Sequence, residues 1–301
     1  MGMNRKDQIM AGNTPSPGPN GVELIDVEAP PDGLYEYSTV VTDGINGLDA
    51  VTDEDIEFFK AYGYLVIHNA FSQPEVDAAL NGMVDLIGGK YPDFKGIMFE
   101  SKAREVLSSL SPEQRQDYVR KISWFVEHEP RLKALSHHPV LLAVLERIIG
   151  EQTTMFQDMG LIKPPLIGRE KPWHQDFAYF NLPLGTQVVG VWVALDEALI
   201  ENGCMHVIPG SHRDGPVIHF QRRDWQICDT DVQVGRSVAV PLKPGGILLF
   251  DGLLHHGTPP SQSTKRRRAV QYHYRPASVQ QYGDSEERLK VFGPEGKDVY
   301  C

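Results

Sequence analysis

A histidine and an aspartate two positions apart are the strongest local candidates for chemistry in this sequence. They are His174 and Asp176, in the segment WHQD at 173–176. On an extended segment, side chains two positions apart point to the same side, so this pair can hold one metal ion. Imidazole and carboxylate suit iron, manganese or zinc, and a second histidine completes the facial triad of non-haem Fe(II) oxygenases. Alone, the pair is a weak signal, since a solvated histidine beside a turn aspartate has the same spacing.

Two histidines and a basic segment downstream could complete such a site. His255 and His256 end the apolar run ILLFDGLLHHG at 247–257, and either could supply the second imidazole. The segment RRRAVQYHY at 266–274 follows. A buried arginine there could clamp the far carboxylate of a dicarboxylate co-substrate through paired hydrogen bonds. Three protein ligands leave three octahedral positions, which accommodate a chelating 2-oxo acid and dioxygen.

The elements that must position these residues change in character at Gly150. Before it the chain predicts mostly helices, and after it short β-rich runs separated by Gly, Pro and Asp-rich turns. The predicted earlier elements are a helix at 52–63, a strand at 64–71, a helix at 72–89 and further helices within 101–150. The predicted strands are 153–162, 188–195, 205–209, 232–241, 247–250 and 269–275. Helices followed by strands predict an α+β unit, mainly β, with a meandering or jelly-roll core buttressed on one face by helices.

Composition limits the class of protein. Residues 1–50 are rich in Pro, Gly, Asn and Asp and predict a loosely ordered arm, so the single domain is assigned to 51–301. A net charge of −11 argues against a nucleic-acid-coating protein and against attraction to anionic membranes. The apolar runs are strand-sized, and the start has no secretory signal, which predicts a cytoplasmic protein without membrane spans. The three cysteines lack CxxC spacing, which disfavours a thiolate zinc site. The oligomeric state is left open.

Three motifs together resemble the phytanoyl-CoA dioxygenase family of Fe(II)/2-oxoglutarate oxygenases. They are HQDFAYF at 174–180, ENGCMHVIPGSH at 201–212 and LLHHG at 253–257. The resemblance extends over roughly residues 52–276. It implies a double-stranded β-helix, a cupin-like jelly roll. It also implies Fe(II), 2-oxoglutarate and O2 as cofactor and co-substrates, with hydroxylation coupled to decarboxylation of 2-oxoglutarate into succinate and CO2.

The resemblance also implies roles for individual residues. His174 and Asp176 match the family's HxD, and His256 matches its distal ligand because it directly precedes a glycine. Arg267, eleven positions after His256, matches the carboxylate-binding arginine, and Thr258 matches the hydroxyl that assists it. The other matches line the co-substrate pocket or separate the ligands: Met159, Trp192, Lys121 and Gln175.

Simpler interpretations compete for several residues. His255 could be the ligand in place of His256, although the glycine spacing favours His256. Trp192 could be ordinary core filling. Lys265, Arg266 and Arg268 are interpreted as parts of a solvated turn. Four further histidines are interpreted as structural or surface residues: His206, His212, His219 and His273.

The identity of residue 176 also bears on the reaction. In halogenating relatives of this family a small residue replaces the carboxylate and opens a site for chloride, so Asp176 favours hydroxylation or a related oxidation. The chain has no HExxH motif, which disfavours a zinc hydrolase. A different class remains as the alternative, a catalytically idle jelly-roll binding module that retains a metal.

The predicted substrate is a small molecule whose identity the sequence does not give. Segments 90–100 and 213–232 are predicted to cap the mouth of its pocket. The aromatic residues that could form an apolar floor, or belong to the core, are Phe177, Tyr179 and Phe180.

Overall fold

The computed structural model describes residues 28–281 and 285–293, in which helices are followed by two β-sheets. The α-helices are α1 Asp53–Tyr62, α2 Gln73–Gly88, α3 Pro112–Arg115, α4 Pro130–Ser136, α5 Pro139–Ile149 and α6 Glu286–Phe292. The first strands are β1 Thr39–Val40, β2 Ile45–Asn46, β3 Tyr64–His68, β4 Ile97–Phe99, β5 Val119–Ser123, β6 Thr153–Lys163, β7 Lys171–His174 and β8 Val189–Ala194. The later strands are β9 Met205–Val207, β10 His219–Gln221, β11 Trp225–Ile227, β12 Val238–Val240, β13 Ile247–Asp251, β14 His256–Thr258 and β15 Arg267–Pro276.

Helices α1 and α2 begin and end within one residue of their predicted bounds, and α5 ends at the predicted change at Gly150. At the start of α1, the backbone N–H of Asp55 donates to Thr52 Oγ1 at 3.3 Å, and the N–H of Thr52 donates to Asp55 Oδ2 at 2.8 Å. This reciprocal pair satisfies two N–H groups that the first turn cannot. Helix α5 ends at Gly150, whose φ of +89° is a conformation that a residue with a Cβ rarely adopts.

The prediction of helices throughout 101–150 is wrong for one segment. Val119–Ser123 forms β5, an antiparallel strand that pairs with β6 and places Lys121 opposite Leu161. Backbone pairing with a long neighbouring strand here outweighs the helix propensity of the Arg and Lys residues in this segment. The difference matters for function because β5 carries Lys121 into the face of the sheet that lines the site.

Two sheets form the core. The larger has the strand order β2-β3-β13-β8-β15-β6-β5-β4, and the smaller has the order β1-β12-β9-β14-β7. Strands β10 and β11 form a separate hairpin. One apolar cluster contains side chains of both sheets, including Trp192 and Phe250 from the larger sheet and Val207 and Val240 from the smaller. The two sheets therefore face each other, as the predicted double-stranded β-helix requires.

Alternate residues of the large sheet face the helices. On β3, Leu65 and Ile67 pack in a cluster with Phe59 of α1 and Met83 of α2, while Val66 points into the space between the sheets. Strands buried on both faces in this way are apolar at nearly every position. The predicted buttressing of one face by helices is thus confirmed.

The predicted arm is only partly within the described residues. Residues 1–27 lie outside them, whereas β1 pairs in parallel with β12 and the indole Nε1 of Trp173 donates to the carbonyl of Leu34 at 3.0 Å. The division between arm and domain at residue 50 stays a prediction. In the described ranges, no helix combines the length and apolarity that crossing a bilayer needs.

Candidate metal centre

Strand pairing brings the two predicted histidine ligands together. Strand β14 runs antiparallel to β7 in the small sheet, and its first residue, His256, lies opposite His174, the last residue of β7. Their ring centroids are 4.2 Å apart. The chain turns immediately after β7, so Asp176 begins a short 3-10 helix with its carboxylate beside both rings.

One nitrogen of each histidine and one oxygen of Asp176 form a tight cluster. The three ligand atoms all lie within 4.8 Å of one another, and all three residues are buried. Oδ1 of Asp176 is 3.1 Å from Nε2 of His174 and 3.6 Å from Nε2 of His256. Two imidazoles and one carboxylate are the donors of the facial triad predicted from the sequence.

Hydrogen bonds on the far side of each ring fix which nitrogen faces the cluster. Nδ1 of His174 donates to the carbonyl of Pro172 at 2.7 Å, and Nδ1 of His256 donates to the carbonyl of Leu254 at 2.9 Å. Burial, and next the charge of His256, lowers the pKa of His174 to about 4, so this ring is neutral at pH 7. Its Nε2 then presents a lone pair to a carboxylate oxygen. Acceptors converging on one point repel unless a cation lies between them, so these residues fit a metal ion.

The second oxygen of Asp176 is held by two residues of β15. Nε2 of His273 lies 2.7 Å from Oδ2, and Nε2 of Gln271 donates to Oδ2 at 3.0 Å. Burial alone would raise the pKa of Asp176, but the nearby imidazoles, His256 foremost, lower it well below its usual value. Oδ2 is thus occupied, which leaves Oδ1 for a metal. His273 was predicted to be a structural or surface histidine, and its contact with Asp176 was not predicted.

Removing the imidazole of His273 is expected to weaken iron binding by about 10- to 100-fold, the usual cost of losing a partner that orients a ligand. In His273→Phe a ring fills the same space, but Asp176 loses one of its two hydrogen-bond donors. Titration with Fe(II) or Co(II) measures the affinity. His206→Phe is the matched control, because His206 is also buried and neither ring nitrogen has a hydrogen-bond partner among the described residues. Equal weakening in both variants would contradict the role of His273.

The other candidate ligand, His255, lies outside the cluster. Its backbone N–H donates to Ser211 Oγ at 2.8 Å, and its ring Nε2 is buried without a hydrogen-bond partner in the described chain. Burial lowers its pKa to about 4, so the ring is neutral at pH 7. The strand register thus places His256, and not its neighbour, opposite His174.

A cavity of about 400 Å³ adjoins the cluster and contains most of the predicted site. Its wall is the inner face of the large sheet, where one row across four strands is Trp192, Gln271, Met159 and Ser123. The predicted site residues that line it are His174, Asp176, His256, Arg267, Thr258, Trp192, Met159 and Lys121.

Arg267 is a buried cation in the wall of this cavity. It is 3% exposed, its Nη1 donates to the carbonyl of Leu161 at 3.1 Å, and its guanidinium lies 5.5 Å from the centre of the Trp192 ring. Its Nε has no hydrogen-bond partner, and no carboxylate in the described ranges pairs with it. Burial lowers its pKa to about 10, which still leaves it charged at pH 7. An unpaired buried guanidinium fits an anion supplied by a ligand.

The neighbours of Arg267 point elsewhere. Nε of Arg266 is 2.6 Å from Asp117, and Nε of Arg268 is 2.7 Å from Asp196. The Arg268 side chain is only 15% exposed, so the prediction that it belongs to a solvated turn is wrong.

Three other predicted residues with polar groups also line the cavity. Thr258 is buried, and its Oγ1 accepts from the N–H of Lys171 at 3.4 Å. The indole Nε1 of Trp192 is buried without a partner in the described residues. Lys121 has no ion pair in that part of the chain, and burial, followed by the charge of Lys171, lowers its pKa to about 8. Each of these polar groups is available to a ligand of the cavity.

Gln175 is the predicted site residue that the structure does not bring to the cavity. Its Nε2 donates to the carbonyls of Gly215 and Leu253 at 2.9 and 2.8 Å, and its Oε1 accepts from the N–H of Val217 at 2.9 Å. These bonds tie the loop after β9 to the loop before β14. The predicted contact of Gln175 with the co-substrate stays a prediction.

One part of the cavity lining includes a strained residue. Residues 93–98 line the cavity together with Trp124, whose φ is +65°. Such a backbone costs a bulky residue about 1–3 kcal/mol. Asp158 maintains it, because its Oδ2 accepts from the N–H groups of Phe125 and Val126 at 2.6 and 3.0 Å.

The segments predicted to form the pocket contribute unequally. Six residues of 90–100 line the cavity, but only Asp224 of 213–232 does so. Of the three aromatic residues, Tyr179 and Phe180 line it, whereas Phe177 packs in an apolar cluster with Phe292. Of the two segments, the main contribution to the wall therefore comes from the loop before β4 and the first two residues of β4.

Comparisons with known proteins agree with this geometry. The model of the family described as phytanoyl-CoA dioxygenase (PhyH) matches residues 59–269. A phytanoyl-CoA dioxygenase domain-containing protein 1 of Danio rerio is 29% identical over 267 residues, covering 75% of this chain and 90% of the relative. Two crystal structures share the fold. The non-heme alpha ketoglutarate dependent carbocyclase SnoK from nogalamycin biosynthesis has a TM-score of 0.62 at 20% identity, covering 84% of this chain and 96% of SnoK. EctD from S. alaskensis, with 2-oxoglutarate and 5-hydroxyectoine, has a TM-score of 0.62 at 22% identity, covering 85% of both chains.

Proposed function

Because the chain belongs to the phytanoyl-CoA dioxygenase family of Fe(II)- and 2-oxoglutarate-dependent oxygenases, we propose that it hydroxylates a C–H bond of a small molecule. In this reaction one atom of O2 enters the product hydroxyl and the other enters succinate, while the C1 carboxylate of 2-oxoglutarate leaves as CO2. The observation that carries the proposal is the pairing of the three-residue cluster with an unpaired, buried Arg267 in one cavity.

The metal is assigned to His174, Asp176 and His256. Both histidines present Nε2, since their Nδ1 atoms are committed to backbone carbonyls, and Asp176 contributes Oδ1 alone. Bound iron supplies the dioxygen chemistry that amino-acid side chains lack. The protein contributes a fixed set of donors that needs little rearrangement when the ion enters.

The co-substrate is assigned to the wall that contains Arg267. Its guanidinium, with the hydroxyl of Thr258, is proposed to bind the distal carboxylate of 2-oxoglutarate. Trp192 stacks near the guanidinium and limits its movement, and Met159 lies in the same row of the sheet. Holding the distal carboxylate fixes the orientation in which the 2-oxo acid end meets the metal cluster.

The substrate is assigned to the side of the cavity lined by residues 93–98 and Trp124. Strain at Trp124, maintained by Asp158, keeps an indole in the wall of the cavity where a relaxed backbone would direct it elsewhere. Asp176 occupies the carboxylate position, so the proposal is hydroxylation and not halogenation.

Lys121 provides a pH-dependent prediction. Its pKa of about 8 means that its ammonium is present below that pH and is lost above it. If this ammonium binds a carboxylate of 2-oxoglutarate, affinity is expected to fall by up to about 30-fold as the pH rises from about 7 to about 9.5, because only the charged form attracts the anion. The dissociation constant, measured by anaerobic titration across this range, checks the prediction.

The matched variants are Lys121→Met and Lys95→Met. Lys121→Met is expected to bind weakly with a flat pH profile, whereas Lys95→Met keeps the profile of the unmodified protein, because the Lys95 ammonium donates to the carbonyl of Pro92 at the exposed mouth. A steep profile that survives in Lys121→Met would assign the titration to another group.

The proposed function is tested by two steps on the whole protein. Anaerobic addition of Fe(II) and 2-oxoglutarate is expected to give a weak visible charge-transfer band, and oxygen is expected to release succinate, more of it with a substrate from a small-molecule panel. A band without succinate would favour the idle, metal-retaining module. Absence of the band would overturn the assignment of the site.

A further inference from the structure

A second buried cation lies next to Arg267. Lys163 is the last residue of β6, directly opposite Arg267, the first residue of β15. Residues paired in this way point to the same face of a sheet, with Cβ atoms about 5 Å apart. Both side chains are 3% exposed, and both line the cavity.

The ammonium of Lys163 has little to neutralise it. Its Nζ donates to the carbonyl of Arg169, and no carboxylate in the described part of the chain forms an ion pair with it. An ammonium has three N–H groups, so two remain for other partners. Burial, followed by the charge of Arg267, lowers the pKa of Lys163 well below its usual value. The carboxylates of Glu100 and Glu170 oppose this shift only in part, and each is hydrogen-bonded to an arginine, Arg169 and Arg223 respectively. Two adjacent buried cations are costly unless an anion joins them.

The absence of a side chain at Gly203 leaves room for the stem of Lys163 beside Pro259. An added Cβ at Gly203, whose φ is +85°, would lie 2.6 Å from Cδ of Lys163 and 2.6 Å from the carbonyl oxygen of Pro259. The aliphatic stem of Lys163 therefore lies close to the backbone of Pro259, the residue after Thr258. Lys163, Thr258 and Arg267 all line the same cavity.

We propose that Lys163 binds the distal carboxylate of 2-oxoglutarate together with Arg267. The inference rests on the proposed function, which supplies the anion. Each of the two cations then faces the same carboxylate, and Thr258 supplies a hydroxyl beside them. The competing explanation is purely structural: Lys163 would only anchor the loop at Arg169 through the carbonyl bond.

The test compares two 2-oxo acids that differ only at the distal end. 2-Oxopentanoate has the chain length of 2-oxoglutarate but a methyl group in place of the distal carboxylate. Dissociation constants for both are measured anaerobically with Fe(II), by the charge-transfer band, for the unmodified protein, Lys163→Met and Lys163→Arg. Lys163→Met is expected to weaken binding of 2-oxoglutarate by about 10- to 100-fold, which is typical of a lost hydrogen bond to a charged group, and to change binding of 2-oxopentanoate by less than about twofold. Lys163→Arg, which keeps the charge, is expected to restore part of the loss.

If Lys163→Met weakened the binding of both acids equally, the lysine would only hold the loop. If it left the binding of 2-oxoglutarate unchanged, the lysine would have no role in binding. Either result overturns the inference. Failure of the proposed function is a separate result, because the unmodified protein would then bind neither acid. Near-ultraviolet circular dichroism shows whether Lys163→Met folds. If it does not, Lys163→Gln replaces it in the same measurements, and the same two outcomes would overturn the inference.

Discussion

Replacement of His256 with alanine is expected to weaken iron binding by more than about 100-fold, because a lost ligand costs more than a lost partner of a ligand. His256 provides one of the three converging atoms, and its Nε2 lies 3.6 Å from the carboxylate of Asp176. Without His256, only the ligand atoms of His174 and Asp176 remain to bind the metal ion. Fe(II) titration measures the loss, and succinate release should fall in proportion.

The neighbouring histidine is the matched control. His255→Ala removes an identical side chain from the adjacent position, also buried, whose ring Nε2 has no hydrogen-bond partner in the described residues. Its iron affinity is expected to stay within about twofold of the unmodified protein, although the vacated space lowers stability by a few kcal/mol. Thermal unfolding with a chelator present separates stability from metal binding. The reverse result, loss in His255→Ala and retention in His256→Ala, would exchange the two assignments.

The candidate ligands could be predicted from the sequence, but the choice between the two histidines rested on the resemblance. Chemistry alone cannot separate His255 from His256, since both follow the same apolar run. The strand register separates them, because β14 pairs with β7 so that His256 lies opposite His174. Register depends on contacts between strands that are remote in sequence, and a single sequence does not show which strands pair.

The inward face of β15 was harder to predict for a different reason. This strand is buried on both sides, with Val270 and Tyr272 against the helices and Ala269 between the sheets. Polar and apolar residues therefore do not alternate along the strand. The sequence pattern alone could not show on which face of β15 Arg267 lies. A weaker signal for the inward face was present. Arg267, Gln271 and His273 are separated by even numbers of positions, so they lie on one face of an extended strand. Three polar residues on one face of an otherwise apolar strand indicate a site, and His273 could have been found in this way.

The general architecture was predictable because helix caps, turn residues and apolar runs are local properties of the sequence. Capping residues and glycine stops gave the ends of α1 and α5, and β6, β8, β9, β13 and β15 lie near their predicted ranges. Strands β7, β10, β11 and β14 had no predicted range, and β12 covers only part of 232–241. Strand β5 was missed because its burial does not alternate and its stability comes from pairing with β6. The consequence was local, but it concerned Lys121, whose access to the cavity depends on that strand.

Replacement of Arg267 with methionine is expected to weaken 2-oxoglutarate binding by about 150-fold, corresponding to about 3 kcal/mol for one partner of a buried charge pair. Methionine preserves most of the volume beside Trp192, so the wall of the cavity should remain packed. Iron binding in the absence of 2-oxoglutarate should be unchanged, because Arg267 contacts none of the three proposed ligands in the described hydrogen bonds. Anaerobic titration of the charge-transfer band measures the difference.

The two flanking arginines make this experiment specific. Arg266→Met and Arg268→Met remove the same charge at adjacent positions, but those guanidiniums pair with Asp117 and Asp196. Each change is expected to cost stability, by roughly 1 kcal/mol or less at the more exposed Arg266, and to leave the dissociation constant for 2-oxoglutarate within about twofold. If all three variants weakened binding equally, general loss of positive charge would explain the effect. A loss confined to Arg267→Met would instead support one guanidinium, selected by the face of β15, as the anchor of the co-substrate.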